Sequence, residues 1–202
     1  MADAVIAIFA FAIGSIPFGL IVGRIFFSTD IRAQGSGNIG AMNALRSLGK
    51  RGAVAVLLLD VAKGALPVLL AARFGSGAAI DAIAALAAVL GHCFSPWLGF
   101  NGGKGVATML GATLALSPIA VAVAGWLLGA IVLTPYSSVG SMLAGLLVIP
   151  SLAFFTRSLW ETLYGVAVAV LIIVRHRENI ERLRTGTENP IPFLKGRVGK
   201  NR

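Results

Sequence analysis

The chain reads as an all-α integral membrane protein with about seven transmembrane helices. Three observations carry that reading. Of 202 residues, 57% are hydrophobic and only 12% charged, whereas soluble domains carry roughly 25% charged residues. The apolar residues fall into long stretches separated by polar, glycine-rich ones. The basic residues gather on one side when those stretches are threaded back and forth across a bilayer. A surface this poor in charge cannot coat a water-soluble globule of this size. Intrinsic disorder is excluded because it needs low hydrophobicity and high net charge. Twenty-five glycines without a G-X-Y period exclude collagen. The length fits one domain, residues 1–202, with residues 175–202 forming a basic tail.

A helix needs about 20 apolar residues to span the hydrocarbon core. The first stretch runs from about Ala4 to Phe26. It is not read as a signal peptide, because Asp3 stands where a basic n-region would be and further spans follow. The others are Ala53–Ala72, Ala78–Leu90, Val106–Leu116, Ile119–Leu133, Val139–Phe155 and Leu159–Val174. The fourth, Val106–Leu116, is short for a span, so charge decides whether it crosses. With all seven crossing, one side holds Arg24, Arg32, Arg46, Lys50, Arg51, Lys104 and the eight basic residues from Arg175 onward. That is 14 of the 17 Lys and Arg residues. The other side holds Arg73 and Arg157, each with an acid nearby, and Lys63 lies within a span. The positive-inside rule then places the N-terminus outside and the C-terminus in the cytoplasm. The fourth helix is expected to be short or tilted. No inverted repeat of the transporter kind is visible.

The net charge of +9 would point to nucleic acid in a soluble protein. In a membrane protein it sets topology and meets anionic lipid, and no nucleic-acid partner is expected. The single cysteine, Cys93, cannot form an intrachain disulfide. Two separated histidines and one cysteine make no metal-ligand cluster. No nucleophile elbow is visible either.

Three polar stretches fall together on the cytoplasmic side. The first, residues 35–50, reads GSGNIGAMNALRSLGK. Gly35, Gly37 and Gly40 allow left-handed backbone and close approach to a ligand. Ser36, Asn38 and Asn43 add hydrogen-bonding groups, and Arg46 adds a fork suited to phosphate. The second, residues 91–108, reads GHCFSPWLGFNGGKGVAT. Gly102, Gly103 and Gly105 flank Lys104 just before an apolar segment, so backbone amides and one ammonium could seat a phosphate. The spacing is not that of a P-loop, because Leu98 and Gly105 stand where Gly and Ser or Thr are needed. His92 opens this stretch as a candidate ligand or base. The third, residues 175–188, reads RHRENIERLRTGTE and predicts a short interfacial helix. His176 and Asn179 share one face of it, and Glu188 follows a Thr-Gly-Thr turn. Within the second span, Asp60 and Lys63 lie i, i+3 and are expected to pair inside the bundle.

Taken together, these stretches resemble the bacterial acyl-phosphate:glycerol-3-phosphate acyltransferase family. GSGNIGAMNALR, GHCFSPWLGFNGGKGVAT and RHRENIERLRTGTE look like its three motifs in order, and LDVAKG at 59–64 fits as well. The resemblance implies transfer of a fatty acyl group from acyl phosphate to glycerol 3-phosphate, giving lysophosphatidate and phosphate, with no cofactor. It implies catalytic roles for Ser36, Arg46, Lys104, His176 and Asn179. It implies substrate contacts from Gly35, Gly37, Asn38, Asn43, His92, Gly102, Gly103, Gly105 and Glu188, the last also a structural acid. Membrane lipid and the enzymes that make acyl phosphate and consume lysophosphatidate are the implied partners. This chain departs from the family's usual pattern at Met42, where Thr is usual, at Asn101, where Lys or Arg is usual, and at Ser95, where Pro is usual. A transporter for a phosphorylated metabolite is the alternative, although such carriers place their site near the midplane, often between repeats. A lipid-binding scaffold is the third reading.

Overall fold

The computed structural model describes residues 1–117, 125, 129 and 134–194. Their regular structure is helical, with no strand among the described residues. Among the described residues, three helices are long and apolar enough to cross a membrane: Gly49–Phe74, Ala78–Leu98 and Ser137–Phe155. The number rises to five if each of two bent helix pairs is one span. The expected span Ile119–Leu133 lies outside the described residues.

The first apolar stretch is two helices, α1 (Ala2–Ser15) and α2 (Phe18–Phe27), bent by 40°. The break falls at Pro17, whose ring and missing N–H interrupt the helical ladder. Carbonyls freed at such a break need partners in an apolar medium. Ser95 Oγ donates to Ser15 O at 2.7 Å, and Lys63 Nζ donates to Ile16 O at 2.7 Å. Ser95 and Lys63 thus fasten the break.

A short helix α3 (Ala41–Ser47) leads into α4 (Gly49–Phe74). Helix α5 (Ala78–Cys93) is the central column, packing on α1, α4 and two later helices. Its buried face is mostly alanine and glycine, including Ala84, Ala85, Ala88 and Gly91. Small residues matter because lipid gives no hydrophobic drive between helices, so close backbone approach does the packing. A Cβ on Gly14 of α1 would fall 2.1 Å from Ala88 O, and one on Gly91 would fall 2.2 Å from Phe11 O. The crossing of α4 with α6 (Val106–Leu116) repeats the device. Cβ atoms on Gly64 and Gly111 would meet Thr108 O at 2.1 Å and Val61 O at 1.9 Å. At 11 residues, α6 is about 16 Å long, as short as expected.

Helix α7 (Ser137–Phe155) packs on α8 (Leu159–Arg175). A 53° bend then leads into α9 (Arg177–Arg184). His176 is the corner residue, closing α8 and opening α9. The expected interfacial helix is therefore present, but it turns away from the span rather than continuing it. A core of Val68, Val89, Met109, Val148, Val168 and Ile172 fills the space between α4, α5, α6, α7 and α8.

Candidate active site

One cavity of about 190 Å³ lies where the three polar stretches meet. It is lined by Ser36, Asn38, Asn43 and Arg46 from the first, His92, Lys104 and Gly105 from the second, and His176, Asn179 and Glu188 from the third. Gly35, Gly37, Gly102 and Gly103 are not in its wall; they support it from behind.

The first loop is fastened by Asn43, on α3. Its Oδ1 accepts from Ser36 N at 2.8 Å, and its Nδ2 donates to Ile31 O, Asn38 O and Gln34 O at 2.7, 2.8 and 3.1 Å. Gly35 and Gly37 take φ of 59° and 69°, which glycine adopts without strain. Gly40 differs from expectation: its φ is −82° and it caps α3. Arg46 extends from the same helix and donates to Asn189 O at 3.2 Å.

The second loop also departs from expectation. The amides of Gly102 and Gly103 donate to Cys93 O and His92 O at 3.1 and 3.0 Å, so they are committed to the end of α5. A Cβ on Gly103 would sit 2.0 Å from His92 Nε2, so only glycine lets the loop lie on that ring. Arg175 closes the other side, donating through Nη2 to Gly102 O at 2.7 Å and through Nε to Gly103 O at 3.1 Å. Lys104 is what this loop delivers to the cavity, and its ammonium donates to Asn179 Oδ1.

The third stretch forms a network. Asn179 Nδ2 donates to Glu188 Oε1 at 2.6 Å, Ser138 Oγ donates to the same oxygen at 2.9 Å, and Arg182 Nε donates to Oε2 at 2.8 Å. Burial works against the Glu188 carboxylate, but these three donors outweigh it and hold its pKa below the usual value. His176 is 2% exposed, and its Nδ1 lies 2.7 Å from Ile172 O. A carbonyl only accepts, so Nδ1 carries the proton and Nε2 is left as an acceptor. Burial pulls the ring down to about 4, with Lys104 adding to the effect and the Ile172 carbonyl opposing it. Burial, together with Arg182 and Arg46 nearby, likewise brings Lys104 down to about 8 against the pull of Glu188.

Three cations thus line the cavity with Glu188 and Asp60. Asp60 sits at the floor, paired with Lys63 at 2.8 Å, both side chains 1% exposed, as their spacing predicts. Its Oδ1 lies 3.8 Å from His92 Nδ1. Ala41, Met42, Leu57, Val106, Ala107 and Leu110 add apolar surface to the wall, and Ser137, Ser138, Ser141 and Asn189 add further polar groups. Asn101 lies outside it.

Sequence reading did not single out Ser138, Arg182, Arg175 or the floor position of Asp60. Arg182 carried a usable signal, because it lies i, i+3 from Asn179 on the same face. Ser138 carried only a faint one, being one of three serines, with Ser137 and Ser141, at the start of a largely apolar helix.

Comparison with known proteins identifies the family. The family model described as "Glycerol-3-phosphate acyltransferase" matches residues 4–186. The glycerol-3-phosphate acyltransferase of Brucella suis is 45% identical over 186 residues, covering 91% of this chain and 90% of its own. That of Geobacter sulfurreducens is 46% identical over 181 residues, covering 89% and 93%. Among solved structures, the glycerol 3-phosphate form of PlsY, an integral membrane glycerol 3-phosphate acyltransferase, superimposes with a TM-score of 0.90 at 38% identity, over 97% of this chain and 98% of that one. Its lysophosphatidic acid form gives a TM-score of 0.87 over 94% and 95%. With its three motifs converging on one cavity and relatives matching along nearly its whole length, the chain belongs to the glycerol-3-phosphate acyltransferase family.

Proposed function

We propose that this protein moves a fatty acyl group from an acyl phosphate to the 1-hydroxyl of glycerol 3-phosphate, giving lysophosphatidate and inorganic phosphate. The observation that carries this reading is the cavity's mixed lining. Arg46, Lys104 and Arg182 line it together with His176 and Asn179, and Met42, Leu57, Val106 and Leu110 give it apolar surface as well. Both proposed substrates carry phosphate, and the donor also carries an alkyl chain.

The glycerol hydroxyl oxygen attacks the carbonyl carbon of the acyl phosphate. A new C–O bond forms, the C–O bond to phosphorus breaks, and phosphate leaves with the electron pair. The donor is already activated, so the site need only align the reactants and stabilise developing negative charge. Lys104, Arg46 and Arg182 supply that positive field, and Ser36 and Asn38 lie within reach of the same space. His176 Nε2 accepts a hydrogen bond from the attacking hydroxyl and orients it. With its ring at about 4, His176 holds a proton less well than a phosphate monoester, whose second pKa is about 6. The hydroxyl proton therefore passes to a substrate phosphate.

In this reading the single domain crosses the bacterial inner membrane seven times, N-terminus outside and C-terminus in the cytoplasm, with the cavity opening to the cytoplasm. An enzyme that makes acyl phosphate supplies it, and one that acylates lysophosphatidate takes its product. The test uses purified protein in liposomes with labelled glycerol 3-phosphate and either palmitoyl phosphate or palmitoyl-CoA. Labelled lysophosphatidate from palmitoyl phosphate alone is expected. Product from palmitoyl-CoA alone would overturn the donor. Counterflow of glycerol 3-phosphate without product would favour a transporter.

A further inference from the structure

The Gly102–Gly103 segment has no side chains with which to hold itself, and its fastenings come from two other elements. Its amides are taken by the carbonyls of Cys93 and His92 at the end of α5. Its carbonyls are taken by the Arg175 guanidinium at the end of α8. That guanidinium also stands 5.5 Å over the Phe94 ring, a favourable placement for a cation. The next residue in the loop is Lys104, and the next residue after Arg175 is His176. One helix end therefore carries both the fork that holds the Lys104 loop and the imidazole that faces the same cavity. From the helix that follows, the Asn179 side-chain oxygen Oδ1 accepts from the Lys104 ammonium.

We propose that Arg175 is a positioning residue: by donating to the Gly102 and Gly103 carbonyls together, it fixes Lys104 opposite His176 and Asn179 and so sets affinity for the phosphate of glycerol 3-phosphate. The inference rests on the reading under Proposed function. It needs the fork rather than the charge. A lysine would keep the positive charge but present a compact ammonium that cannot reproduce two divergent donors in fixed geometry.

The test is a KM measurement for each substrate separately, in liposomes, with wild type and Arg175→Lys. Arg175→Lys is expected to raise the KM for glycerol 3-phosphate about tenfold while moving the KM for acyl phosphate less than about twofold, since small misplacements of a positioning group carry large kinetic costs. Phe94→Leu keeps Arg175 but removes the ring that seats its guanidinium, so the fork is loosened against the two carbonyls. It serves where Arg175→Lys does not fold, and is expected to raise the same KM alone. An unchanged KM for glycerol 3-phosphate overturns the inference. So does an equal rise in both KM values accompanied by a lower unfolding temperature, which marks a general structural role. Wild-type protein that makes no product from acyl phosphate overturns the underlying reading, and the inference with it.

Discussion

The two glycine-rich loops at the cavity are fastened by different means. The loop before α3 is fastened wholly from nearby: one side chain, Asn43, ties together Ile31, Gln34, Ser36 and Asn38, none more than 12 positions away. The Gly102–Gly103 loop is fastened only in part from nearby, its amides reaching back to Cys93 O and His92 O; its carbonyls are held by Arg175, 72 positions from Gly103. The first can take its shape from its own neighbourhood. The second is fully fastened only when α8 is packed beside α5. A local fastening concentrates risk in one residue, whereas a distributed one makes a loop depend on the helix bundle beneath it.

The largest effect is expected at the residue the second loop delivers. Lys104→Ala leaves both fastenings in place and removes the cation, so the protein should fold normally while kcat/KM falls about a hundredfold or more, the size seen when one charge-stabilising donor is lost. Unfolding temperature and product formation measured together separate these effects. Asn43→Asp comes next. It keeps the acceptor for Ser36 N but loses the three donated bonds and puts a carboxylate beside the cavity. An activity loss of roughly ten- to a hundredfold is expected together with a lowered unfolding temperature, since each buried carbonyl left unpaired costs about 1–3 kcal/mol. If Asn43→Asp lost activity with no change in unfolding temperature, the contrast between the loops would be blunted.

A pH profile sharpens the comparison from the second loop's side. Lys104 sits at about 8, and its protonated form is the one that attracts phosphate. Its contribution is therefore present below pH 8 and lost as pH rises through it. From pH 7 to pH 9 kcat/KM should fall about tenfold, because that ratio reports the free enzyme. Lys104→Arg should remove this limb, since a guanidinium stays charged. The smallest effect is expected for Met42→Thr. Met42 lines the cavity and makes none of the fastening bonds described above, so the barrier should move by less than about 0.7 kcal/mol, about threefold in activity.

The same contrast explains what could be read in the sequence. The stretch Val106–Leu116 coincides with α6 end for end, because an apolar run bounded by Gly105 and Ser117–Pro118 marks its own limits. The Asp60–Lys63 pair was legible from its spacing. The convergence of the three motifs was expected from a threading that put them on one membrane side. The break at Pro17 was read through, although proline itself was the signal, because the hydropathy on both sides is continuous. The commitment of the Gly102 and Gly103 amides was not legible, because Cys93 O and His92 O approach them only through a turn at Pro96–Leu98. Arg175 was counted as one basic residue in a basic tail, since its carbonyl partners carry no side chain to mark them. Ser138 was passed over as part of a serine-containing helix start, because nothing in its neighbouring sequence names Glu188 as its partner.

The most direct test of the account is equilibrium binding of glycerol 3-phosphate to wild type and Lys104→Ala, by calorimetry in lipid nanodiscs at pH 7. The account predicts saturable binding to wild type and at least about a hundredfold weaker binding to the variant, because a buried ammonium–phosphate contact is charge-assisted on both sides. Equal affinity in the two proteins, both folded, would place the substrate phosphate elsewhere and contradict the account.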